Sequence, residues 1–513
     1  MNLSWAAPDV APSSVPAPRW LAPVVLLALT ACIFGFFFPI TDVGLSDETS
    51  YLVAGVEFFK SPPSIESGPL YSLWYFLLKL LFRDSYVVYF LSWVLLVVLC
   101  LAIPFLIERS RRAIVYAILA AFMPFYIVWP YINLFSAAIV LVGLSIIETR
   151  TERSYTVAFG ILLLTCVVVA LVRPEYQYAC YAAFGFFLAA VVLEGKAREH
   201  LLLIGICVAA FVGVELLFAA LPGNRSGAAF AGHHDVIYFE QGKLSENPWT
   251  AWNAYKLFGL SQDATLLDFM RANPKEFWSH IYYNMTRPLF IGLLTIGALT
   301  LAISSVRVAA DRRIAPTLMP LHRLIPLAVV YLPAVSASAI MYPKNHYLVI
   351  PFLVSAFYIA RSDLVVALTR RTVVIGLLVA LAFASIAVNY KIKLGKLAPY
   401  KFSDTLECLV DMQRQRGIYS GGFLEALGGA NAYLKGDTFW IRHYSIKDGE
   451  SLDSFLNRTS PVVVIVDENL FGYMKAKGNV TVGSIAELNG LIQKHGFTEY
   501  KCRSPGPSIF YAN

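Results

Sequence analysis

Residues 45–54 read Leu45-Ser46-Asp47-Glu48-Thr49-Ser50-Tyr51-Leu52-Val53-Ala54 and come shortly after the first long apolar segment of the chain. Two adjacent carboxylates thus stand where a membrane span ends, and an aromatic residue follows one helical turn later. The next notable stretch is Gly68-Pro69-Leu70-Tyr71-Ser72-Leu73-Trp74-Tyr75. We interpret most of the remaining chain as scaffold, or as the second half of a site, for this loop.

The composition excludes a soluble globular protein. Of 513 residues, 58% are hydrophobic and only 15% are charged, and the mean hydropathy is +0.62. Apolar segments recur at the length of a membrane span, and in lipid they must be helical because backbone N–H and C=O groups have to bond one another. The net charge of +7 does not indicate nucleic-acid binding, since Lys and Arg lie mainly between spans.

Clusters of Lys and Arg occur at every second connection between the apolar segments from residue 108 onward. The positive-inside rule places all of these connections in the cytoplasm. The clusters are Arg109/Arg111/Arg112, Arg150/Arg153, Lys196/Arg198, Arg307/Arg312/Arg313/Arg323 and Arg361/Arg370/Arg371. The segment Pro69–Phe82 is short for a crossing and must then lie on the outer surface as a second interfacial helix. The prediction is a polytopic helical protein with about eleven transmembrane helices, at residues 22–40, 86–107, 113–129, 131–147, 155–172, 176–193, 200–221, 286–306, 324–341, 346–360 and 372–389.

Three regions follow from these patterns. Residues 1–19 are rich in Pro, Ala and Ser and are predicted to be a disordered tail. Residues 20–390 form the membrane domain, with outer loops at 41–85 and 222–285, and loops of that length are usually functional. Residues 391–513 are polar and alternate strand-like with helical runs, which predicts a small exported α/β domain.

Within that last domain, Thr438–Tyr444 and Pro461–Asp467 are predicted strands, and Ser451–Leu456 and Ile485–His495 are predicted helices. Cys408 and Cys502 flank the region, and export to an oxidising compartment would let them form a disulfide. Two separate thiols are the alternative. The other cysteines lie in apolar segments, where they pack as small hydrophobic residues.

Asp47 and Glu48 are the strongest candidates for chemistry. A carboxylate at the outer rim of a membrane can serve as a general base that takes the proton of an attacking hydroxyl. Acids at a helix start also have a purely structural explanation, because they interact favourably with the helix dipole.

Arginine is disfavoured at an outside junction, so Arg173 in Arg173-Pro174-Glu175 is a candidate phosphate ligand. A structural pair with Glu175 is the alternative. Lys344, His346 and Tyr347 form a second cationic cluster, for which a snorkelling Lys and an interfacial Tyr are the alternative.

His233 begins the sequence His233-His234-Asp235 in the long outer loop. Adjacent histidines do not easily face one metal ion, and no second ligand pair has suitable spacing, so no metal site is predicted there. Substrate binding by His233 and simple solvation remain open.

These residues resemble the GT-C superfamily of integral-membrane glycosyltransferases, in particular the protein O-mannosyltransferase and lipid A aminoarabinose transferase branch. The likeness rests on the order of residues 45–54, of Pro69-Leu70-Tyr71-Ser72-Leu73-Trp74 and of Lys344-Asn345-His346-Tyr347-Leu348-Val349-Ile350-Pro351, followed by an exported α/β tail. As architecture it covers most of residues 20–390. Two outer-surface helices in the first loop are also typical of that family.

The resemblance implies an inverting enzyme that moves a sugar from a polyprenyl-phosphate lipid to a hydroxyl acceptor on a glycan, lipid or protein. It implies a bacterial inner or plasma membrane, with the active site and the C-terminal domain on the outer side. Asp47 matches the catalytic acid of the first loop, with Glu48 as the second candidate. Arg173 and Lys344 suit the leaving phosphate. The expected substrate-binding residues are Tyr51, Tyr71, Arg173, Glu175, His233, Lys344, His346 and Tyr347.

No cofactor beyond the lipid-linked donor is implied, and a need for metal is left open. Ser67-Gly68 stand where relatives often carry a basic residue, and Asn133 stands where a second acid is common, which argues against the aminoarabinose subgroup. The alternatives are a polysaccharide polymerase or ligase of another membrane fold, a lipid-linked sugar transporter or flippase, and a non-catalytic assembly or sensor protein.

Overall fold

The structure is a computed structural model of the chain. It describes residues 20–43, 47–56, 58–59, 68–108, 110–123, 131–150, 154–220, 225–244, 248, 253–261, 263–308, 314–316, 319–369, 372–395, 402–426, 429–442, 449–476, 480, 482–503 and 506–512. The predicted N-terminal tail 1–19 lies outside these residues. So do Arg109, Arg153, Arg312, Arg313, Arg370 and Arg371 of the basic clusters.

The membrane part is a bundle of apolar helices. In chain order the first are α1 (Leu21–Phe37), α2 (Asp47–Val56), α3 (Pro69–Leu81), α4 (Ser85–Glu108), α5 (Arg111–Ala121), α6 (Ile132–Arg150), α7 (Tyr155–Ala170), α8 (Gln177–Glu194) and α9 (Leu201–Ala220). After an outer lobe come α14 (Pro288–Ser304), strands β1 (Val306–Val308) and β2 (Ile314–Pro316), α15 (Leu321–Ile340), α16 (Val349–Ile359), α17 (Asp363–Leu368) and α18 (Thr372–Leu394).

Among the described residues, seven helices are long and apolar enough to cross a membrane: Leu21–Ile40, Ser85–Glu108, Ile132–Thr149, Pro174–Glu194, Leu201–Ala220, Leu321–Ile340 and Val373–Leu394. The pair Pro274–Met285 and Pro288–Ser304, bent by 62°, makes an eighth if it is one span. The helices at Pro69–Leu81, Tyr155–Ala170 and Asn345–Ile359 are apolar but shorter. The chain is therefore a helical integral membrane protein, and the count of about eleven crossings stays a prediction.

Buried ion pairs join the helix ends that lie away from Asp47. Arg323, at the start of α15, lies 2.6 Å from the carboxylate of Glu148 near the end of α6. Arg361, after α16, pairs with Glu108 at the end of α4, and its guanidinium lies 3.4 Å from the centre of the Phe357 ring. Arg323 and Arg361 belong to the predicted basic clusters, so these two members lie at the end of the bundle away from Asp47.

The predicted outer loop 222–285 is a helical lobe wherever the structure describes it. Its helices are α10 (Arg225–Glu240), α11 (Asn253–Phe258), α12 (Leu266–Ala272) and α13 (Pro274–Met285). They share an aromatic core in which the Phe230 ring lies 5.0 Å from Phe269 and 5.1 Å from Phe277. His280 Nε2 lies 2.9 Å from the carbonyl oxygen of Ile340, which fixes the lobe to the end of α15.

The C-terminal domain is a five-stranded sheet with helices on both faces. Its elements are α19 (Phe402–Arg416), β3 (Ser420–Glu425), β4 (Asp437–Arg442), α20 (Leu452–Thr459), β5 (Pro461–Val466), α21 (Glu468–Ala476), α22 (Ile485–Lys494), β6 (Phe497–Tyr500) and β7 (Ser508–Ala512). The strand order is β4-β3-β5-β7-β6, in which β3 runs parallel to β4 and β5, and β7 runs antiparallel to β5 and β6.

Alternate residues of these strands face opposite layers, as the period of a strand requires. Leu424, Val464 and Phe510 pack under α20, α21 and α22, whereas Phe423 and Val463 pack with α19. The predicted α/β class and both predicted strands are thus present. The sequence analysis missed β3, β6 and β7.

The C-terminal domain is attached to the first outer loop. The Asp42 carboxylate accepts hydrogen bonds from the backbone N–H groups of Phe402 and of Ser403, the latter at 3.1 Å. These are free N–H groups at the start of α19, so Asp42 caps that helix and opposes the positive end of its dipole. The contact places the domain at the same end of the bundle as Asp47.

Cys408 on α19 and Cys502 after β6 form a disulfide with a Cα–Cα distance of 5.5 Å. This resolves the pairing that the sequence left open. The bond ties α19 to the last strands of the sheet across 94 residues of chain. A crosslink closing so long a loop restricts the unfolded chain strongly.

The disulfide predicts a thiol count. Of the seven cysteines, only Cys32, Cys100, Cys166, Cys180 and Cys207 should react with a maleimide after denaturation without reductant. All seven should react after reduction, and mass spectrometry of the intact protein measures both numbers. Seven reactive thiols without reductant, in protein taken from its native membrane, would contradict the pairing.

Candidate active site

The Glu48 carboxylate is the centre of the first outer loop. Its side chain is fully buried and accepts hydrogen bonds from the hydroxyls of Tyr71 and Tyr75, the second at 2.6 Å. Its other oxygen accepts the backbone N–H of Tyr131 at 3.1 Å. One side chain thereby joins α2, α3 and the start of α6.

Burial raises the pKa of Glu48 to about 7, because an ionised carboxylate loses its hydration there. The three donors act in the opposite direction and keep the pKa from rising further. The neighbouring charge of Asp47 adds a smaller upward contribution. Glu48 therefore titrates near neutral pH while it is enclosed by tyrosines.

Two glycines let the helices of this loop approach closely. A Cβ atom on Gly55 would lie 2.4 Å from the Cβ of Tyr75, so α2 and α3 touch there without an intervening side chain. A Cβ atom on Gly68 would lie 2.0 Å from the carbonyl oxygen of Val172, and Gly68 has a φ of +63°. The Leu70 N–H also donates to the carbonyl of Leu171 at 3.0 Å. The start of α3 is therefore fixed against the end of α7, directly before Arg173.

Arg173 is 8% exposed and occupies a polar junction. Its guanidinium pairs with Glu175 at 2.6 Å and donates to the Asn133 side-chain oxygen. It also lies 5.7 Å from the centre of the Tyr347 ring. The structural pairing of Arg173 with Glu175 is thus real, and Asn133 serves as an acceptor for the arginine.

The late basic cluster faces the same junction. Lys344 precedes the 3₁₀ turn Asn345–Leu348, and the rings of His346 and Tyr347 lie 4.5 Å apart. His346 lies close enough to Arg173, Lys344 and His233 to interact electrostatically with each of them. The His233 ring itself stacks on Tyr342 at 6.3 Å.

An open cleft lies at this junction. Its empty volume, counted out to the mouth, is about 280 Å³, and it is lined by Asn133, Arg173, Glu175, Tyr176, Pro333, Ala334, Ala337, Tyr347 and Ile350. The Asn133 amide nitrogen is buried here and finds no acceptor among the described residues. The cleft thus offers a cation and a spare donor beside an apolar wall, a combination suited to an anionic group on an apolar chain.

Asp47 is the first residue of α2 and is exposed. Tyr51 lies one turn further on the same face. The Tyr51 ring is 5.3 Å from that of Tyr71, and Tyr51 also interacts electrostatically with Arg173. Tyr51 therefore lies near both Tyr71 and Arg173, and the exposed Asp47 stands one helical turn before it on α2.

The structure brings the substrate-binding candidates predicted from the sequence into one connected group. The sequence analysis missed Tyr75, Tyr131 and Asn133, which supply or receive hydrogen bonds there. Tyr71 and Tyr75 stand four residues apart on an apolar helix, and that spacing was a usable signal for a shared polar partner. The Tyr131 contribution is a backbone N–H, which no side-chain pattern reveals.

His234 does not join this group. It is buried in the outer lobe, with its Nε2 3.3 Å from Glu276, and its ring stacks on that of His280 at 5.5 Å. Among the described residues, no three His, Cys, Asp or Glu side chains are arranged to hold a metal ion.

No protein-family model matches the chain, and a search of curated proteins finds no match. Among solved structures the chain is similar to the apo crystal structure of ArnT from Cupriavidus metallidurans. The two are 12% identical, the alignment covers 95% of this chain and 97% of ArnT, and the TM-score is 0.36. At that identity and TM-score the likeness assigns neither a family nor an activity to this chain.

The contact at Gly68 predicts a large effect of one methyl group. Gly68→Ala should destabilise the protein by about 1–3 kcal/mol more than Gly195→Ala, because the new methyl collides with the backbone of Val172. Gly195 is the matched control, with a φ of +65° and no atom within 4 Å of its Cβ position. Thermal unfolding in detergent measures both variants, and equal losses would contradict the contact.

The environment of Glu48 predicts a pH dependence. The folded-state pKa of about 7 lies above the ordinary value of 4.5, so the folded protein holds this proton more tightly than the unfolded chain does. The resulting stability is complete below pH 4.5 and is lost as the pH rises to about 7, by at most roughly 3 kcal/mol.

Glu48→Gln removes this titration, although it also lowers stability at every pH because one donor loses its acceptor. Unfolding measured from pH 4.5 to 8 should therefore show a shallower fall in the variant than in the wild type. Parallel curves for the two proteins would show that Glu48 does not titrate in this range.

Proposed function

We propose that the protein is an inverting membrane glycosyltransferase that transfers a sugar from a polyprenyl-phosphate donor to a hydroxyl acceptor. The observation that carries this proposal is the buried guanidinium of Arg173 at an open cleft, with Tyr51 of α2 within electrostatic range and the exposed Asp47 at the start of the same helix. In this proposal Arg173 binds the donor phosphate at the cleft, and Asp47 acts as the general base from the start of α2. The order of these residues also resembles the GT-C pattern.

The chemistry requires only these two kinds of group. The acceptor oxygen attacks the anomeric carbon, and the bond between that carbon and the phosphate oxygen breaks. Asp47 takes the hydroxyl proton, and the lipid phosphate leaves with the electron pair of the broken bond. Negative charge grows on the phosphate as it leaves, so a fixed cation beside it lowers the barrier.

Arg173 retains donors for this role although it is already paired. The guanidinium has five N–H groups on three nitrogens, and the contacts with Glu175 and Asn133 use one N–H on each nitrogen, so two N–H groups remain. His346 interacts electrostatically with Arg173 and Lys344, and together with Lys344 it would hold the same phosphate or its sugar. Glu175 keeps the arginine in place when no substrate is bound.

The proposed location is the outer side of a bacterial inner or plasma membrane. The Cys408–Cys502 disulfide supports this orientation, because disulfides persist in oxidising compartments. The C-terminal domain that contains it lies at the same end of the bundle as Asp47, and Arg323 and Arg361 of the predicted basic clusters lie at the other end, as the positive-inside rule requires.

A transporter has less support. Glu215 is the acid within a span that such a protein would use, and it accepts hydrogen bonds from Gln177 at 3.0 Å and Tyr181 at 2.9 Å. These neutral donors give the carboxylate a structural role between α8 and α9. A polymerase or ligase that relies on His233 and His234 also has less support, because both side chains are buried.

The test is sugar transfer by purified protein in lipid nanodiscs. Radiolabelled polyprenyl-phosphate sugars are offered with envelope lipid, glycan and protein fractions as acceptors. Asp47→Asn should lower kcat by about a hundredfold or more, the usual contribution of a general base. Asp411→Asn is the control, because Asp411 is a surface acid that pairs with Arg414 on α19.

Full transfer by Asp47→Asn would exclude Asp47 as the base and favour the polymerase or ligase. Transport of the lipid-linked sugar across a bilayer, without transfer by the wild-type protein, would favour the flippase.

A further inference from the structure

We propose that the turn Gly429–Tyr433 of the C-terminal domain positions α2, and with it Asp47, for the reaction. This inference rests on the proposed function. It makes the C-terminal domain a structural component of the active site, with Glu425 as the positioning residue that holds the turn.

Gly429 lies directly against the residue that follows Glu48. A Cβ atom on Gly429 would be 2.1 Å from Cγ2 of Thr49, and Thr49 is fully buried. The two parts of the chain therefore meet with no space for a further methyl group. On the other side of α2, Gly55 contacts α3 just as closely. The helix is thus held from both sides.

Glu425 fixes the shape of the turn. It ends β3, is 1% exposed, and accepts the backbone N–H of Gly429 at 2.9 Å and that of Ala430 at 2.7 Å. A buried carboxylate with two backbone donors holds a turn more firmly than a neutral acceptor does. Because β3 is paired with a strand on each side, β4 and β5, movement of the domain would be transmitted through Glu425 to Gly429.

Tyr433, at the end of the same turn, extends the contact. Its ring lies 6.3 Å from that of Tyr89 on α4, and Tyr433 also interacts electrostatically with Glu48. The Asp42 cap on α19 provides a separate attachment nearby. Asp42 thus joins the domain to the loop independently of the turn. The contact of Gly429 with Thr49 therefore has a separate role, which is to fix the position of α2.

The contact can be disturbed and restored with single methyl groups. Gly429→Ala places a methyl on Cγ2 of Thr49, and Thr49→Ser removes that Cγ2 while keeping the hydroxyl. Gly496→Ala is the control for backbone strain, because Gly496 has a φ of +85°, compared with +99° for Gly429, and open space around it. All variants are made in the full chain.

In transfer assays, Gly429→Ala should lower kcat about tenfold or more and change the donor KM little, since a small displacement of a reacting group reduces the rate strongly. The double variant Thr49→Ser/Gly429→Ala should recover part of the lost kcat, because the contact with Cγ2 is removed while the Cβ of residue 49 still lies 2.8 Å from the new methyl, and substitutions that share a contact are not additive. Gly496→Ala should retain wild-type kcat. Additive losses, or a Gly429→Ala enzyme as active as Gly496→Ala, would overturn the proposal.

Hydrogen exchange provides a readout that needs no substrate. Gly429→Ala should speed exchange of the amides of α2, the double variant should reverse this, and the amides of β5 should exchange as in the wild type. Faster exchange in β5 as well would mean that the turn only stabilises its own domain, which contradicts the inference. If α2 responds as expected but no variant or wild-type protein transfers sugar, the proposed function fails and the positioning contact stands.

Discussion

The arrangement of α2, α3 and the start of α6 depends on one buried carboxylate. Glu48 receives two tyrosine hydroxyls from α3 and a backbone N–H from the start of α6, which are separated from it by 23, 27 and 83 residues. A buried acceptor without these donors would be strongly unfavourable, so each of the three elements is held where it can reach the carboxylate. Of these elements, α6 also lines the cleft beside Arg173, through Asn133.

The two adjacent acids of the opening stretch therefore have different physical properties. Successive helical residues point about 100° apart, so Asp47 and Glu48 cannot both face the interior. Glu48 is enclosed and has a pKa raised to about 7 by burial, whereas Asp47 is exposed at the helix start. An enclosed carboxylate suits the holding of structure, and an exposed one suits proton transfer to an incoming hydroxyl. The sequence alone presents the two as interchangeable.

Much of the fold was predictable because it follows local rules. Apolar helices at 85–108 and 201–220, the short apolar helix at Pro69, and the strand at Pro461 all follow from length and periodicity. The helices in residues 225–285 were predicted as loop, since their aromatic core around Phe230 forms between segments with little individual periodicity. In the site, the sequence identified charged side chains at the junctions between helices. It could not identify partners that are backbone groups, such as the Tyr131 N–H, or that come from distant turns, such as Gly429.

The contact between Thr49 and Gly429 shows the physical reason why partners supplied by distant turns could not be predicted from the sequence. A glycine in a turn of a C-terminal domain has many ordinary explanations, and its positive φ is sufficient for one of them. Only the folded chain reveals that the missing side chain also makes room for a residue next to Glu48. Enzymes need reacting groups held to within fractions of an ångström, and a short interfacial helix has too few contacts of its own to achieve this. In the proposed enzyme, support from a second, disulfide-tied domain meets that requirement, which gives the C-terminal domain a reason to be rigid and close to α2.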